Sequence, residues 1–130
     1  MITAQEKFWS SKFGKEYLKR NNRSNKELDR FYVENLGVAS TRINKDFLGN
    51  LKIDSILEVG CNVGNQLRLL QSQGFKNLYG IEIFDLAIEA AKKTTRNLNI
   101  IKGSGFDIPF KDSNFDLVYT SGVLIHIHPR

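Results

Sequence analysis

The segment from residue 56 to residue 65 limits the possible folds more than any other part of the chain. A short apolar run ends in the carboxylate Glu58, and two glycines, Gly60 and Gly64, then lead into a helical pattern. In open α/β sheets a strand brings the chain to the carboxyl edge, where glycines let the backbone turn tightly and approach a ligand. The segment therefore predicts a strand, a glycine loop and a helix that together form a nucleotide or cofactor site.

The spacing of the glycines indicates which kind of cofactor the loop accepts. A dinucleotide fingerprint has glycines at its first, third and sixth positions, which here are Gly60, Asn62 and Asn65. Two of these positions depart from the fingerprint, which argues against a nicotinamide dinucleotide. Asn62 is still compatible with a tight turn, because asparagine adopts left-handed backbone angles more readily than most residues.

Strand and helix patterns alternate from residue 53 onward. The predicted strands cover residues 55–59, 77–83, 99–102 and 115–120, and the predicted helices cover residues 65–73 and 85–95. We expect Gly74 to end the first of these helices and Asp85 to cap the second. Because this alternation gives parallel strands with right-handed crossovers, we predict an α/β, Rossmann-like fold with a mostly parallel sheet.

The first 50 residues have a helical pattern of a different kind. Aromatic side chains recur at helical spacing and could line one face of a single helix, namely Phe8, Trp9, Phe13 and Tyr17. A polar run then breaks the pattern, and a second helical stretch follows to about residue 48. We expect Ser24 or Asn25 to cap that stretch, Gly37 to split it and Ser40 to cap its second half. We therefore divide the chain into an N-terminal helical cap, residues 1–50, and an α/β core, residues 51–130.

Composition and charge exclude several classes of protein. At 130 residues the chain has room for one domain, and no apolar run approaches the roughly 20 residues of a membrane span. Cys61 is the only cysteine, which excludes an internal disulfide and fits a reducing compartment. The net charge of +5 comes from scattered basic residues, which favours a solvated surface over nucleic-acid binding. We expect a cytoplasmic protein with no membrane or nucleic-acid partner.

Glu82 ends the second predicted strand, eighteen positions after Gly64. A carboxylate there lies at the carboxyl edge of the sheet beside the glycine loop, where it can accept hydrogen bonds from both hydroxyls of a ribose. The alternative is an exposed glutamate at a strand end, but the distance from the glycine loop favours ribose binding. Ile83 comes next and could flank an adenine ring.

The loop resembles motif I of the class I methyltransferases, which use S-adenosylmethionine (SAM). The resemblance rests on Glu58, Gly60 and Gly64, while Asn62 stands where the family usually has a middle glycine. It implies SAM as the cofactor and a cofactor loop formed by Glu58, Gly60, Cys61, Asn62, Gly64 and Asn65.

The stretch after the third predicted strand resembles the methyltransferase loop Gly-Asp-Ala. In that family the loop aspartate accepts a hydrogen bond from the adenine amino group. Ser104 holds the matching position here, next to Gly105, so a hydroxyl or a backbone group would have to recognise adenine. Asp107 is an alternative, although its offset of three positions favours a role in the loop itself. Asp116, at the start of the fourth predicted strand, is expected to be structural.

The end of the chain supplies the candidates nearest to the reaction. The resemblance implies that Ser121 and Gly122 lie near the methionine part of SAM. His126 is a weak candidate for removing a proton from an acceptor hydroxyl, because histidine titrates near neutral pH. Alternatively, His126 and His128 only pack against another element, and their i, i+2 spacing does not place both on one helical face. We recognise no metal-ligand cluster in the sequence.

Three longer segments resemble the methyltransferases associated with pseudaminic acid biosynthesis, namely residues 6–21, 57–64 and 115–127. The resemblance implies a sugar or nucleotide-sugar acceptor, an O-methyl product and a lid over SAM that contains Trp9, Phe13 and Tyr17. The alternative is that these aromatics form the core face of an amphipathic helix. Members of this group continue for some tens of residues further, so we expect a truncated chain whose fourth strand is covered by further strands or by a second copy in a homodimer.

Three other functions stay open on the sequence alone. A non-catalytic SAM-binding fragment would bind the cofactor without turnover. A nicotinamide-dependent oxidoreductase shares the sheet and the ribose carboxylate, although the glycine spacing argues against it. A nucleic-acid methyltransferase is supported only by the net charge, and it would require salt-dependent binding to DNA or RNA.

Overall fold

A computed structural model describes residues 2–127 of the chain, so the predicted packing of His128 lies outside the described residues. The first part of the described chain is helical, as the aromatic and polar pattern predicts. It contains α1 (Ala4–Trp9), α2 (Lys12–Asn21), α3 (Asn25–Leu36) and α4 (Ser40–Leu48).

The second part alternates strands and helices. It contains β1 (Ser55–Val59), α5 (Asn65–Ser72), β2 (Asn77–Glu82), α6 (Asp85–Thr94), β3 (Asn99–Lys102), β4 (Leu117–Tyr119) and a 3₁₀ helix (Leu124–His126). The sheet order is β3-β2-β1-β4, and each neighbouring pair is parallel. This topology confirms the predicted α/β, Rossmann-like fold. β4 is shorter than the predicted strand, which covered residues 115–120.

The core lies between the sheet and the helices α5 and α6. Leu67 and Leu70 point inward, as their spacing predicts, and pack with Ile56 of β1 and Leu78 of β2. All four side chains are at most 2% exposed. Because this core fixes the strand ends relative to the helix starts, it also fixes the loops that follow each strand.

The helix caps agree only in part with the sequence. Ser24 caps α3, and its hydroxyl accepts a hydrogen bond from the Glu27 backbone N–H, while Gly37 ends the helix at a φ of 75°. The predicted cap at Ser40 is wrong, because Ala39 precedes α4 and the buried Ser40 hydroxyl donates instead to Gln66 Oε1, 3.1 Å away. A buried hydroxyl needs a partner, and Gln66 supplies it.

Two further cap predictions are also wrong. Asp85 is the first residue inside α6, and its carboxylate pairs with Lys102 Nζ at 2.8 Å on the surface. Gly74 has a φ of 99° but lies one residue beyond the cap of α5, which is Gln73. In both places the sequence predicts the helix end to within one residue.

The aromatic residues of the N-terminus lie on two helices, so the prediction of a single helix is wrong. Ser10 ends α1, and Ser11 starts α2 by accepting a hydrogen bond from the Phe13 backbone N–H at 3.3 Å. The turn brings the Trp9 ring to 5.4 Å from the Phe13 ring and 5.0 Å from the Tyr17 ring, measured between centroids. The aromatic spacing therefore reflects a cluster across a tight helix–helix corner.

Polar contacts attach these N-terminal helices to the α/β part. The Arg68 guanidinium of α5 donates to the Val63 carbonyl at 2.7 Å and to the Arg23 carbonyl at 3.0 Å. Asn65 accepts a hydrogen bond from the Arg23 backbone N–H at 3.3 Å and donates to the Asn21 carbonyl. The turn between α2 and α3 is therefore held at the start of α5. Among residues 2–127, we find no helix with the length and apolar character of a membrane span.

Candidate functional site

A cavity lies at the carboxyl edge of the sheet, between the strand ends and the helices α1 and α2. Its empty space is about 900 Å³ when counted out to the open solvent. The predicted site residues that line it are Trp9, Tyr17, Gly60, Asn62, Glu82, Ile83, Ser104, Gly105, Ser121, Gly122 and His126. The sequence thus predicts residues from six separate segments that the fold brings to one place.

Four residues of the predicted cofactor loop do not line the cavity, namely Glu58, Cys61, Gly64 and Asn65. Cys61 is buried against Gly80, and Gly64 lies behind the loop, where its nearest side-chain neighbours are Ala91, Leu98 and Thr95. The Asn65 side chain holds the α2–α3 turn. In the structure these four positions shape the loop, and their contact with a cofactor stays a prediction.

The glycine loop turns through left-handed backbone angles, with φ values of 76° at Gly60, 48° at Asn62 and 79° at Gly64. The prediction that Asn62 tolerates such an angle is confirmed. Each backbone N–H from residue 60 to residue 64 donates a hydrogen bond within the chain, with donor–acceptor distances between 2.8 and 3.1 Å. A pyrophosphate is held by free N–H groups of such a loop, so this loop is unsuited to a dinucleotide.

Gly60 packs closely against the segment that follows β4. A Cβ atom added at Gly60 would overlap Cγ2 of Val123, which also lines the cavity. The glycine therefore allows the segment at residues 121–127 to close over the loop. The sequence predicts a close approach at this position, and in the structure the neighbour is a side chain of the chain itself.

Glu82 is the most constrained polar group of the cavity. Its side chain is buried, and its carboxylate accepts backbone hydrogen bonds from Asn62 at 2.8 Å, Ile83 at 2.9 Å and Phe84 at 3.0 Å. A carboxylate has about four acceptor positions, so one remains for a further donor. Burial raises the pKa of Glu82, and the three backbone N–H groups oppose that shift. The expected pair of ribose hydroxyls would have to share the remaining position or displace one N–H.

Glu58 lies behind the cavity and differs from Glu82 in its surroundings. Its carboxyl accepts a single side-chain hydrogen bond, from the Tyr119 hydroxyl at 3.0 Å. Burial raises the pKa of Glu58 to about 8, which the Tyr119 hydrogen bond opposes. At neutral pH this group is therefore mostly a neutral acid that links β1 to β4.

Ser104 lies in the cavity wall, but its hydroxyl forms a hydrogen bond with a residue that was not predicted from the sequence. The hydroxyl donates to Glu6 Oε1 of α1 and accepts a hydrogen bond from the Phe106 backbone N–H at 3.1 Å. The Ser104 hydrogen bond, together with the Thr3 backbone N–H, lowers the pKa of Glu6. Asp107, the alternative, does not line the cavity and bonds to Ser104 through its backbone N–H.

Glu6 could have been found from one local signal. Thr3 and Glu6 form a capping box at the start of α1, in which the Thr3 backbone N–H donates to Glu6 Oε2 at 2.7 Å. The Thr-x-x-Glu pattern is visible in the sequence and predicts that bond. The sequence does not show that the other carboxylate oxygen, Glu6 Oε1, faces the cavity wall. That position depends on the packing of α1 against the strand ends.

Aromatic groups line the cavity on the side of α1 and α2. The ring centroids of Trp9 and His126 are 4.6 Å apart in an edge-to-face arrangement, and both side chains line the cavity. Phe13 does not line it and stacks on Phe8 at 4.5 Å instead. Within the described range, no group of three or more His, Cys, Asp or Glu residues could hold a metal ion.

Comparisons with known proteins agree with this geometry. Residues 57–130 match the profile of a family described as methyltransferase domain. An uncharacterized methyltransferase of Staphylococcus carnosus (strain TM300) is 35% identical over 75 residues, which cover 58% of this chain and 35% of that protein. The chain thus spans about a third of the length of this curated relative.

Solved structures show the same fold. The PH0226 protein of Pyrococcus horikoshii OT3 has a TM-score of 0.57 and 26% identity, covering 68% of this chain and 41% of that chain. The plantazolicin methyltransferase BpumL, solved in complex with a pentazolic desmethylPZN analog and SAH, has a TM-score of 0.59 and 20% identity. That match covers 88% of this chain and 43% of BpumL.

Proposed function

The chain belongs to the methyltransferase domain family, and on that premise we propose that it binds SAM and transfers its methyl group to a small acceptor. The observation that carries the proposal is the pairing of Glu82 with the glycine loop. The buried Glu82 carboxyl lines the cavity and keeps one acceptor position, while the N–H groups of residues 60–64 all donate within the chain. This arrangement suits a ribose without phosphates, as in SAM.

Methyl transfer from SAM requires little of the protein beyond the alignment of the cofactor with the acceptor. SAM supplies a methyl group on a sulfonium, which is already activated for displacement by a nucleophile. In the proposed complex Glu82 holds the ribose, and Ile83 packs beside the adenine. Trp9 and Tyr17 exclude water from the α1–α2 side of the cavity and present aromatic rings, which attract a nearby cation.

The ribose contact is tested by changing the ligand and leaving the protein intact. The chain should bind S-adenosylhomocysteine (SAH), the demethylated product, about tenfold to hundredfold more tightly than its 2′-deoxy analogue, because the analogue lacks a hydroxyl that donates to the buried Glu82 carboxyl and leaves that acceptor without a partner. Calorimetric titration measures both constants. Equal affinity for the two ligands would mean that Glu82 does not hold the ribose.

The acceptor that we propose is a sugar or nucleotide-sugar hydroxyl. The resemblance of residues 6–21, 57–64 and 115–127 supports this class, and the position of His126 in the cavity wall supports a proton acceptor there. Mass spectrometry of reactions with SAM and a panel of nucleotide sugars would detect a methylated product together with SAH. The alanine variant of His126 should lower the rate by about 10²-fold or more if the imidazole takes the hydroxyl proton. SAH binding without any methylated sugar would favour another acceptor or the non-catalytic alternative.

A further inference from the structure

We propose that Glu6 is the group that recognises the adenine of the cofactor, by accepting a hydrogen bond from the exocyclic amino group. The inference rests on the proposed use of SAM and adds a specificity residue from α1, outside the α/β part of the chain. It starts from the Ser104–Glu6 hydrogen bond in the cavity wall.

The sheet register places Glu6 beside the proposed ribose site. Lys102 of β3 pairs with Glu82 of β2, and the Gly103 backbone N–H donates to the Glu82 carbonyl at 3.1 Å. Ser104 therefore lies one strand away from Glu82, a spacing of about 4.8 Å across the sheet, and just beyond the strand end. Glu6 is held at this place by the Ser104 hydroxyl.

The cavity has two ends on either side of Glu82. The end toward β3 is formed by residues that follow β2 and β3, which include Ile83, Phe84 and Phe106, and Glu6 contributes a carboxylate to the lining. The opposite end is formed by the segments that follow β1 and β4, which include Gly60 and Ser121. A ribose at Glu82 thus directs the two halves of the cofactor to different ends, and the apolar end suits a flat aromatic base.

The Glu6 carboxylate can accept the additional hydrogen bond. Oε1 accepts from the Ser104 hydroxyl and Oε2 accepts from the Thr3 backbone N–H. Two of about four acceptor positions therefore remain. Both existing bonds favour the ionised form and lower the pKa of Glu6, so it is an acceptor at neutral pH. The adenine amino group is a neutral donor that such a carboxylate can bind.

The methionine half of the cofactor suits this end less well. Its ammonium group would attract Glu6, but the adjoining carboxylate would be repelled by the same negative charge. The adenine amino group is a hydrogen-bond donor, and the adenine ring carries no negatively charged group that Glu6 would repel. The two possibilities are separable by experiment, because 5′-methylthioadenosine contains the adenine and lacks the amino-acid group.

The test compares SAH with S-inosylhomocysteine, in which a carbonyl oxygen replaces the adenine amino group. The unaltered chain should prefer SAH by about tenfold to hundredfold in calorimetric titration, because the inosine analogue places a carbonyl oxygen against the Glu6 carboxylate at the position where adenine has an amino donor. Glu6→Gln should remove most of that preference, since its amide can donate to the inosine carbonyl. A glutamine at this position still supports the capping box, so the α1 start is preserved.

Two control variants separate recognition from structure. Glu27→Gln makes the same change in the capping box of α3, away from the cavity, and should keep the full preference for SAH. Thr3→Ala weakens the α1 cap but leaves the Glu6 carboxylate in place, so it should also keep the preference. Loss of the preference in Thr3→Ala to the same degree as in Glu6→Gln would overturn the inference in favour of a structural role.

The remaining outcomes also decide the proposal. If the unaltered chain binds SAH but binds the inosine analogue equally well, the adenine inference is wrong and the proposed function stands. If Glu6→Gln weakens SAH binding but leaves 5′-methylthioadenosine binding unchanged, Glu6 contacts the ammonium group and the adenine inference is again wrong. If the unaltered chain binds neither adenosine ligand, the proposed function and the inference fail together.

Discussion

Glu58 and Glu82 are buried carboxyls near the ends of neighbouring strands, and their hydrogen-bond partners separate their roles. Glu82 receives three backbone N–H groups and lines the cavity, whereas Glu58 accepts, among residues 2–127, a side-chain hydrogen bond from the Tyr119 hydroxyl alone. Backbone N–H groups stabilise a carboxylate, while burial without them favours the neutral acid. The sequence places both residues at the sheet edge but does not show which backbone groups reach them.

The neutral Glu58 makes the stability of the fold depend on pH. Burial raises its pKa to about 8 from the ordinary value of 4.5. Between these values the folded state binds a proton that the unfolded chain lacks, so the free energy of unfolding falls as pH rises, by up to about 1.4 kcal/mol per pH unit. Glu58→Gln should flatten this dependence in urea unfolding between pH 5 and pH 8. An equally steep pH dependence in the variant would contradict the assignment.

Gly60 is a position where a single methyl group should be harmful for two separate reasons. Its φ of 76° disfavours any other residue by about 1–2 kcal/mol, and a Cβ would also overlap Val123. We expect Gly60→Ala to lower the free energy of unfolding by about 2 kcal/mol or more. Adding Val123→Ala should restore the share of the free energy of unfolding that is lost to the overlap. It should not restore the share that is lost to the unfavourable backbone angle. No recovery in urea unfolding of the double variant would show that Val123 does not cover the glycine.

At the scale of elements, the joint between the N-terminal helices and α5 depends on Arg68. Its guanidinium contacts the Val63 and Arg23 carbonyls, so it links the glycine loop to the α2–α3 turn. Because α1 and α2 form one side of the cavity, their attachment also matters for ligand binding. No charge pattern in the sequence indicates this role, since the partners are backbone carbonyls and uncharged side chains.

Replacing Arg68 by methionine should therefore destabilise the chain. The substitution keeps an apolar stem but leaves partly buried carbonyls without a donor, which costs about 1–3 kcal/mol. Arg42→Met is the matched control, because Arg42 pairs with Asp46 on the exposed surface and such pairs contribute about 0–1 kcal/mol. Urea unfolding compares the two variants. Equal losses would mean that the Arg68 contacts are no stronger than a surface ion pair.

The elements themselves show what sequence patterns can predict. Alternating apolar runs and glycines predict the strands, the glycine loop and α3 with its Ser24 cap, because these signals are local. The split between α1 and α2, the partner of Ser40 and the Ser104–Glu6 bond were not predicted, because each depends on packing between distant segments. The position of Glu6 is the clearest case, since its local signal predicts only a helix cap.

At the scale of the whole molecule, β4 is an edge strand with an apolar surface around it. Val118 is 52% exposed, and Leu124 and Ile125 beyond it are 67% and 82% exposed. Exposed edges pair readily with other strands, and a charged side chain there discourages pairing. We predict that the 130-residue chain self-associates through this edge and that Val118→Lys reduces association in sedimentation experiments. A chain that stays monomeric at all concentrations would contradict the homodimer.

The central claim is that the cavity at the carboxyl edge is built for SAM. The most direct measurement is calorimetric titration of the purified chain with SAH and, separately, with NADH. We expect saturable binding of SAH and no binding of NADH, because the N–H groups of the glycine loop all donate within the chain. Saturable binding of NADH, or no binding of SAH to a chain whose circular dichroism shows the folded state, would contradict it.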